Sequence, residues 1–205
     1  MMAVMRKTVV AVMAGMVALS VGGVAGAQIG QSPGSKFLTA VREEKNGEVV
    51  AAINEGGTTI VNTRDFSSRE TALHIVAKRG DVLYTRFLLQ KGAYPDLRDV
   101  NGSTPLLLAV SAGHGDLIAV FVAAKANVNQ GNDSGETPLI KAVQRRDLAM
   151  VRELIAAGAD PDQADSLAGK SARAYAIEDS RTPGLAKIFN DTPKRERRAV
   201  SGPTL

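Results

Sequence analysis

The phrase Gly102-Ser-Thr-Pro-Leu-Leu-Leu-Ala109 returns 33 residues later as Gly135-Glu-Thr-Pro-Leu-Ile-Lys-Ala142. Its local chemistry is a turn, a cap and a helix start. Gly permits the positive φ of a tight turn, and the Thr hydroxyl accepts a hydrogen bond from an amide of the first helical turn. Pro fits the next position, where a missing N–H costs nothing. One such phrase is weak evidence, since many helices begin this way. A fixed period is stronger, because it requires one structural unit to be built several times. Thr71 lies 33 residues before Thr104, and Ser171 lies 34 after Thr137. Other positions hold the same register: Leu73, Leu106 and Leu139; Ala77, Val110 and Val143; Gly80, Gly113 and Arg146; Leu88, Phe121 and Leu154. Gly92 and Gly158 also match, with Lys125 between them.

Within one period the pattern predicts a short apolar helix from Thr104 to about Ser111. Gly113 breaks it, and a second helix runs from Asp116 to Ala124, its acidic first turn favourable to the helix dipole. A polar, turn-rich stretch leads to the next cap. So small a unit cannot bury its apolar face alone and must stack on its neighbours. Only 4% of the chain is aromatic and Trp is absent, so the interior has to be built from Ala, Leu and Val, which suits closely stacked helix pairs.

The period and the Thr-Pro-Leu phrase resemble the ankyrin repeat, over most of the chain from Phe37 onward. The resemblance implies an all-α repeat solenoid, an ankyrin stack of helix-turn-helix units joined by hairpin-like loops. A degenerate first repeat is expected at 37–69, repeats at 70–102, 103–135 and 136–168, and a C-terminal cap at 169–190. A linker at 28–36 would precede them. Arg69 stands where Gly102 and Gly135 stand later, and Arg173 and Ala174 take positions that are apolar or His elsewhere. Terminal repeats need a polar outer face, so these departures are expected to be solvent-facing caps.

The N-terminal segment is of another kind. Arg6 and Lys7 precede an uncharged apolar stretch from Thr8 to Val24, and Ala25-Gly26-Ala27 has the form of a cleavage site. This predicts a signal peptide at 1–27, cut before Gln28, and a periplasmic location. The alternative is an uncleaved anchor, although Thr8–Val24 is at the short limit for a span. The whole chain has 25 basic and 21 acidic residues, a net +4. Removal of Arg6 and Lys7 leaves 23 against 21, or +2, so part of the basicity belongs to the leader.

Chemistry has few places to reside. Cys is absent, which excludes disulfides and thiolate metal sites. The two His, His74 and His114, lie 40 residues apart in different repeats. The resemblance implies that His74 braces its turn and that His114 occupies a common Gly-His step. No nucleophile-elbow, zincin or phosphate-loop pattern occurs. Asp160, Asp162 and Asp165 lack the Gly and the alternation of a calcium loop. The chain is therefore expected to be no enzyme and to need no cofactor or metal. Lys194–Arg198, within a basic tail at 191–205, is expected to be solvated.

In the ankyrin family the hairpin tips and the exposed side of each first helix form a concave binding face. The corresponding positions here are Phe66, Arg98 and Asn101 at the tips, and Lys78, Arg79, Lys141, Gln144 and Arg145 on the helices. That helix set holds four bases and no acid, so a basic strip and a protein partner with an acidic surface are expected. Nucleic acid is disfavoured by export. Membrane contact is expected only if the leader remains or the tail meets an anionic envelope, which defines the competing reading of an envelope-surface structural protein.

Overall fold

The computed structural model describes residues 32–193. The expected signal peptide and the Lys194–Arg198 cluster lie outside the described residues. Within them the chain forms ten α-helices: α1 (Pro33–Arg42), α2 (Asn46–Val61), α3 (Ala72–Arg79), α4 (Val82–Gln90), α5 (Pro105–Ala112), α6 (Asp116–Ala123), α7 (Pro138–Gln144), α8 (Leu148–Ala156), α9 (Ala172–Glu178) and α10 (Pro183–Asp191). They pair in chain order. First helices α1, α3, α5, α7 and α9 pack one on the next, and α4, α6, α8 and α10 form a second row behind them. The all-α stack expected from the period is the fold observed.

The caps work as the phrase predicts. Thr104 Oγ1 accepts from Leu107 N at 3.2 Å, Thr137 Oγ1 from Ile140 N at 3.2 Å, and Ser171 Oγ from Ala174 N at 3.3 Å. Asp81 and Asp147 cap the second helices α4 and α8 in the same way. Behind each cap the repeating apolar positions are buried. Leu73, Leu106 and Leu139, then Val76, Ala109 and Ala142, belong to one cluster that runs from Phe37 to Phe189. At roughly 25 cal/mol per Å² of apolar surface removed from water, this shared cluster is the main stabilising term, and no single repeat owns it.

Two expectations about the ends need correction. Residues 33–36, expected in the linker, are helical: Ser32 Oγ accepts from Ser35 N at 3.1 Å and Pro33 opens α1. The pair Ser32-Pro33 is thus the first repeat's version of the Thr-Pro start. Arg173, expected on a polar outer face, is 8% exposed. Its Nε lies 2.7 Å from Asp162 Oδ1, and its Nη1 donates to the carbonyls of Phe189 and Thr192. A guanidinium can enter the interior when its donors are met this fully, so Arg173 pins α10 to α9 instead of facing solvent.

Candidate protein-binding face

The tips are built on four acidic or amide side chains. Asp65, Asp99, Asn132 and Asp165 each donate a backbone N–H across the tip, to the carbonyls of Glu70, Ser103, Glu136 and Lys170, at 2.8–3.1 Å. Their Oδ1 atoms accept from amides inside the turn: Asp99 from Asn101 and Ser103 at 2.9 and 2.8 Å, Asn132 from Ser134 and Glu136 at 3.0 and 2.9 Å. Asp65 accepts from Ser68 and Ser67 amides, the Ser67 hydroxyl and Arg42, which hold its carboxyl well below the usual carboxylate range. Such internal closure makes each tip a rigid Asx turn.

The tips are also tied to one another. Val100 N donates to Ser68 O at 2.9 Å, Asp133 N to Asn101 O at 3.0 Å, and Ser166 N to Ser134 O at 2.8 Å. Arg98 strengthens this ladder through Gly102 O and Asp133 Oδ1, both at 2.8 Å. The expected tip residues Phe66 and Asn101 are exposed on it, and Phe66 is fully so. Arg98 is instead part of the frame that holds the tips in line.

On the first helices the expected bases find partners within the chain. Lys78 Nζ lies 2.8 Å from Glu70 and Lys141 Nζ 2.6 Å from Glu136, both acids reaching in from the tips. Arg79 pairs with Glu44 at 3.1 Å and Asp81 at 3.2 Å. Arg145 Nη1 donates to Ser111 O at 2.9 Å. Three of the four bases of the expected strip thus have acidic partners within the chain, Lys78 and Lys141 through acids of the tips, whereas Arg145 donates to a neutral carbonyl and keeps its charge. Gln144 is exposed on α7, as expected.

Arg145 is one rung of a second series. Arg79 Nη1 reaches Val41 O at 3.3 Å, and His114 Nε2 reaches Lys78 O at 3.1 Å. Each side chain meets a carbonyl in the last turn of the preceding first helix, where the dipole favours a donor. His74 serves the same end from the interior. Thr71 N donates to its Nδ1 at 3.1 Å, so Nε2 carries the proton and donates to Ser103 O at 3.2 Å in the next repeat. Burial pushes the His74 pKa below its ordinary value, and the imidazole stays neutral. Near the far end Tyr175 Oη donates to Asp165 Oδ2 at 2.6 Å, and that bond raises the phenol to about 12.

Beside these polar groups the same face carries apolar ones. Ile75 and Leu108 are half-buried at one position of α3 and α5, where α7 has Lys141 and α9 has Tyr175. On the second-helix side Val50, Leu83, Tyr84 and Phe87 line a groove between α2 and α4, with Leu83 80% exposed. Sequence reasoning missed both. The signal for the second was present in the register, which sets Leu83 against Asp116 and Ala149.

Comparison with known proteins gives one consistent result. The family model for ankyrin repeats in three copies matches residues 37–132 and again 85–165. The ANK repeat-containing protein nipk-1 of Caenorhabditis elegans is 26% identical over 141 residues, 62% of this chain and 23% of that protein. The glycerophosphocholine phosphodiesterase gde1 of Schizosaccharomyces pombe is 35% identical over 89 residues, 43% of this chain and 8% of that enzyme. The neurogenic locus notch homolog protein 1 of Danio rerio is 32% identical over 135 residues, 65% of this chain and 6% of that protein. This chain spans less than a quarter of the length of each.

Proposed function

The chain belongs to the ankyrin repeat family, and from that membership we propose a non-catalytic scaffold that binds another protein across its first helices and tips. The family is typically non-catalytic and generally binds proteins. The similarity to a phosphodiesterase covers 8% of that enzyme and carries no activity here. The observation behind the reading is the contrast on one face. Ile75 and Leu108 present apolar surface between two ion pairs, Lys78–Glu70 and Lys141–Glu136, on a frame locked by the tip ladder. A surface ordered before binding loses little entropy on binding, which is how a stack of small helices captures a partner. The partner surface is apolar at its centre with polar groups around it, since Lys78, Arg79 and Lys141 are already paired with acids of this chain and Arg145 alone keeps an uncompensated charge. Export to the periplasm is part of the proposal, supported by Arg6, Lys7, the uncharged stretch to Val24 and Ala25-Gly26-Ala27.

Lys141 shows that this helix position accepts a charge, so Ile75→Lys and Leu108→Lys test the face with little damage to the fold. A partner recovered from native periplasmic extract by the wild-type chain should be lost from the double variant, while helical circular dichroism stays unchanged. Equal recovery by both would remove the face from the function.

A further inference from the structure

The four tips close alike, but the side chains behind them differ from repeat to repeat. The closing position holds Asp65, Asp99, Asn132 and Asp165, and the helix position that carries Lys141 in α7 carries Ile75, Leu108 and Tyr175 in the other repeats. Only the Asn132 tip has a carboxamide there, and only its helix offers an amine. The two positions are within reach of each other, because in the next repeat Tyr175 Oη meets Asp165 Oδ2 at 2.6 Å. One carboxylate holds both Asn132 and Lys141. Glu136 Oε2 accepts from Asn132 Nδ2 at 2.9 Å, and Glu136 Oε1 accepts from Lys141 Nζ at 2.6 Å. The Lys141 and Glu136 side chains are largely withdrawn from solvent, at 25% and 16% exposed. The Asn132 carbonyl is polarised as well, since its Oδ1 accepts from Ser134 N at 3.0 Å and from Glu136 N at 2.9 Å.

We propose that Asn132 and Lys141 join in an intramolecular isopeptide bond, with Glu136 as the proton carrier. The arrangement holds what acyl transfer from an amide requires. It has a nucleophile, an electrophile whose developing oxyanion meets two backbone N–H groups, and an acid–base group in contact with both nitrogens. Lys141 Nζ gives a proton to Glu136 Oε1, and the freed amine attacks Asn132 Cγ. Charge collects on Oδ1, between the two amides already bound there. Glu136 protonates Nδ2 and takes up the second proton that Nζ releases. The Nζ–Cγ bond forms, the Cγ–Nδ2 bond breaks, and ammonia leaves with the proton that Glu136 carries. One lysine ammonium and one carboxamide become one amide and one ammonium ion, Glu136 returns to a carboxylate, and no oxidant or co-reactant is consumed. Holding both groups on one carboxylate supplies the effective concentration that so unreactive a pair needs. The product ties this tip covalently to α7, replaces the Lys141 charge by an amide and leaves Glu136 as the acid at that edge of the face.

Peptide mapping of the full chain, fresh and after prolonged incubation of the folded protein, tests this. Trypsin cuts after Lys125 and Arg145, so the product is a peptide 126–145 that lacks one ammonia and resists cleavage at Lys141. Lys141→Arg keeps the charge but loses the amine, and its peptides have their full mass. Glu136→Gln, with helix content intact, forms the product at least about a hundredfold more slowly. A wild-type chain that is still cut at Lys141, with its full mass, after the incubation overturns the proposal. So does a loss of ammonia that persists in Lys141→Arg, which would place it in a succinimide at Asn132-Asp133. Formation at an undiminished rate in Glu136→Gln overturns the role of Glu136. None of these readouts passes through partner capture by Ile75 and Leu108, so the two readings fail separately.

Discussion

His74 couples stability to pH through a single proton. Its folded pKa lies below the ordinary 6.5 because burial disfavours the imidazolium, and both ring nitrogens are engaged in the neutral form. The unfolded chain therefore takes up the proton first as pH falls. The contribution is complete above about pH 6.5 and declines below it, by about 1.4 kcal/mol for each unit by which the pKa is lowered. The melting temperature should drop as the pH falls below about 6.5. His74→Leu should flatten that drop, since Leu107 and Ile140 fill the same position in the next two repeats. An equal drop in both proteins would show that the proton is bound elsewhere. The register of Thr71-Ala-Leu-His74 made this residue legible in advance. Arg173 was not legible, because a Leu-to-Arg departure in a terminal repeat can mean a solvated cap or an internal pin. Only the carbonyls of Phe189 and Thr192, brought back by α10, decide between them.

The elements depend on backbone positions that the sequence partly disguises. Gly80 and Gly113 end their helices with φ of 79° and 99°, and Arg146 takes the same place at 59°. Lys125 likewise stands at φ 61° where Gly92 and Gly158 stand in other repeats. An L-residue held there costs about 1–2 kcal/mol, partly offset by the greater freedom that Gly has when unfolded. Lys125→Gly should therefore stabilise the chain by about 0.5–1 kcal/mol in denaturant titration, and a loss of stability would refute the strain. Gly113→Ala should destabilise it by more than that, since the added Cβ would also collide with the Arg145 guanidinium. The tips make a parallel case. Asp99→Asn should be nearly neutral because Asn132 closes its own tip in the same way, whereas Asp99→Ala strands two amides and should cost about 2 kcal/mol. Helix starts and turns were readable because their chemistry is local. The tip ladder was not, because its bonds join backbone groups about one period apart, and the spacing of Asp65, Asp99, Asn132 and Asp165 was its only trace.

A linear stack holds each repeat only through its neighbours, so its ends decide how it comes apart. Among the described residues the α9–α10 pair has one neighbouring repeat, and beside the Arg146–Asp179 and Tyr175–Asp165 contacts Arg173 fastens it, reaching Asp162 in the preceding loop and two carbonyls at the end of α10. Inner repeats place Leu at this position, so Arg173→Leu is an apolar swap that keeps the core while removing the fastening. Its effect should be local. Amides of α9 and α10 should exchange at least about tenfold faster, consistent with the loss of roughly 1.5–3 kcal/mol from charge-assisted bonds, while those of α5 and α6 keep their protection. If exchange instead rose uniformly from α3 to α10, the stack would be unfolding as one unit and Arg173 would be contributing to global stability. If nothing changed, leucine packing would be equivalent to the fastening.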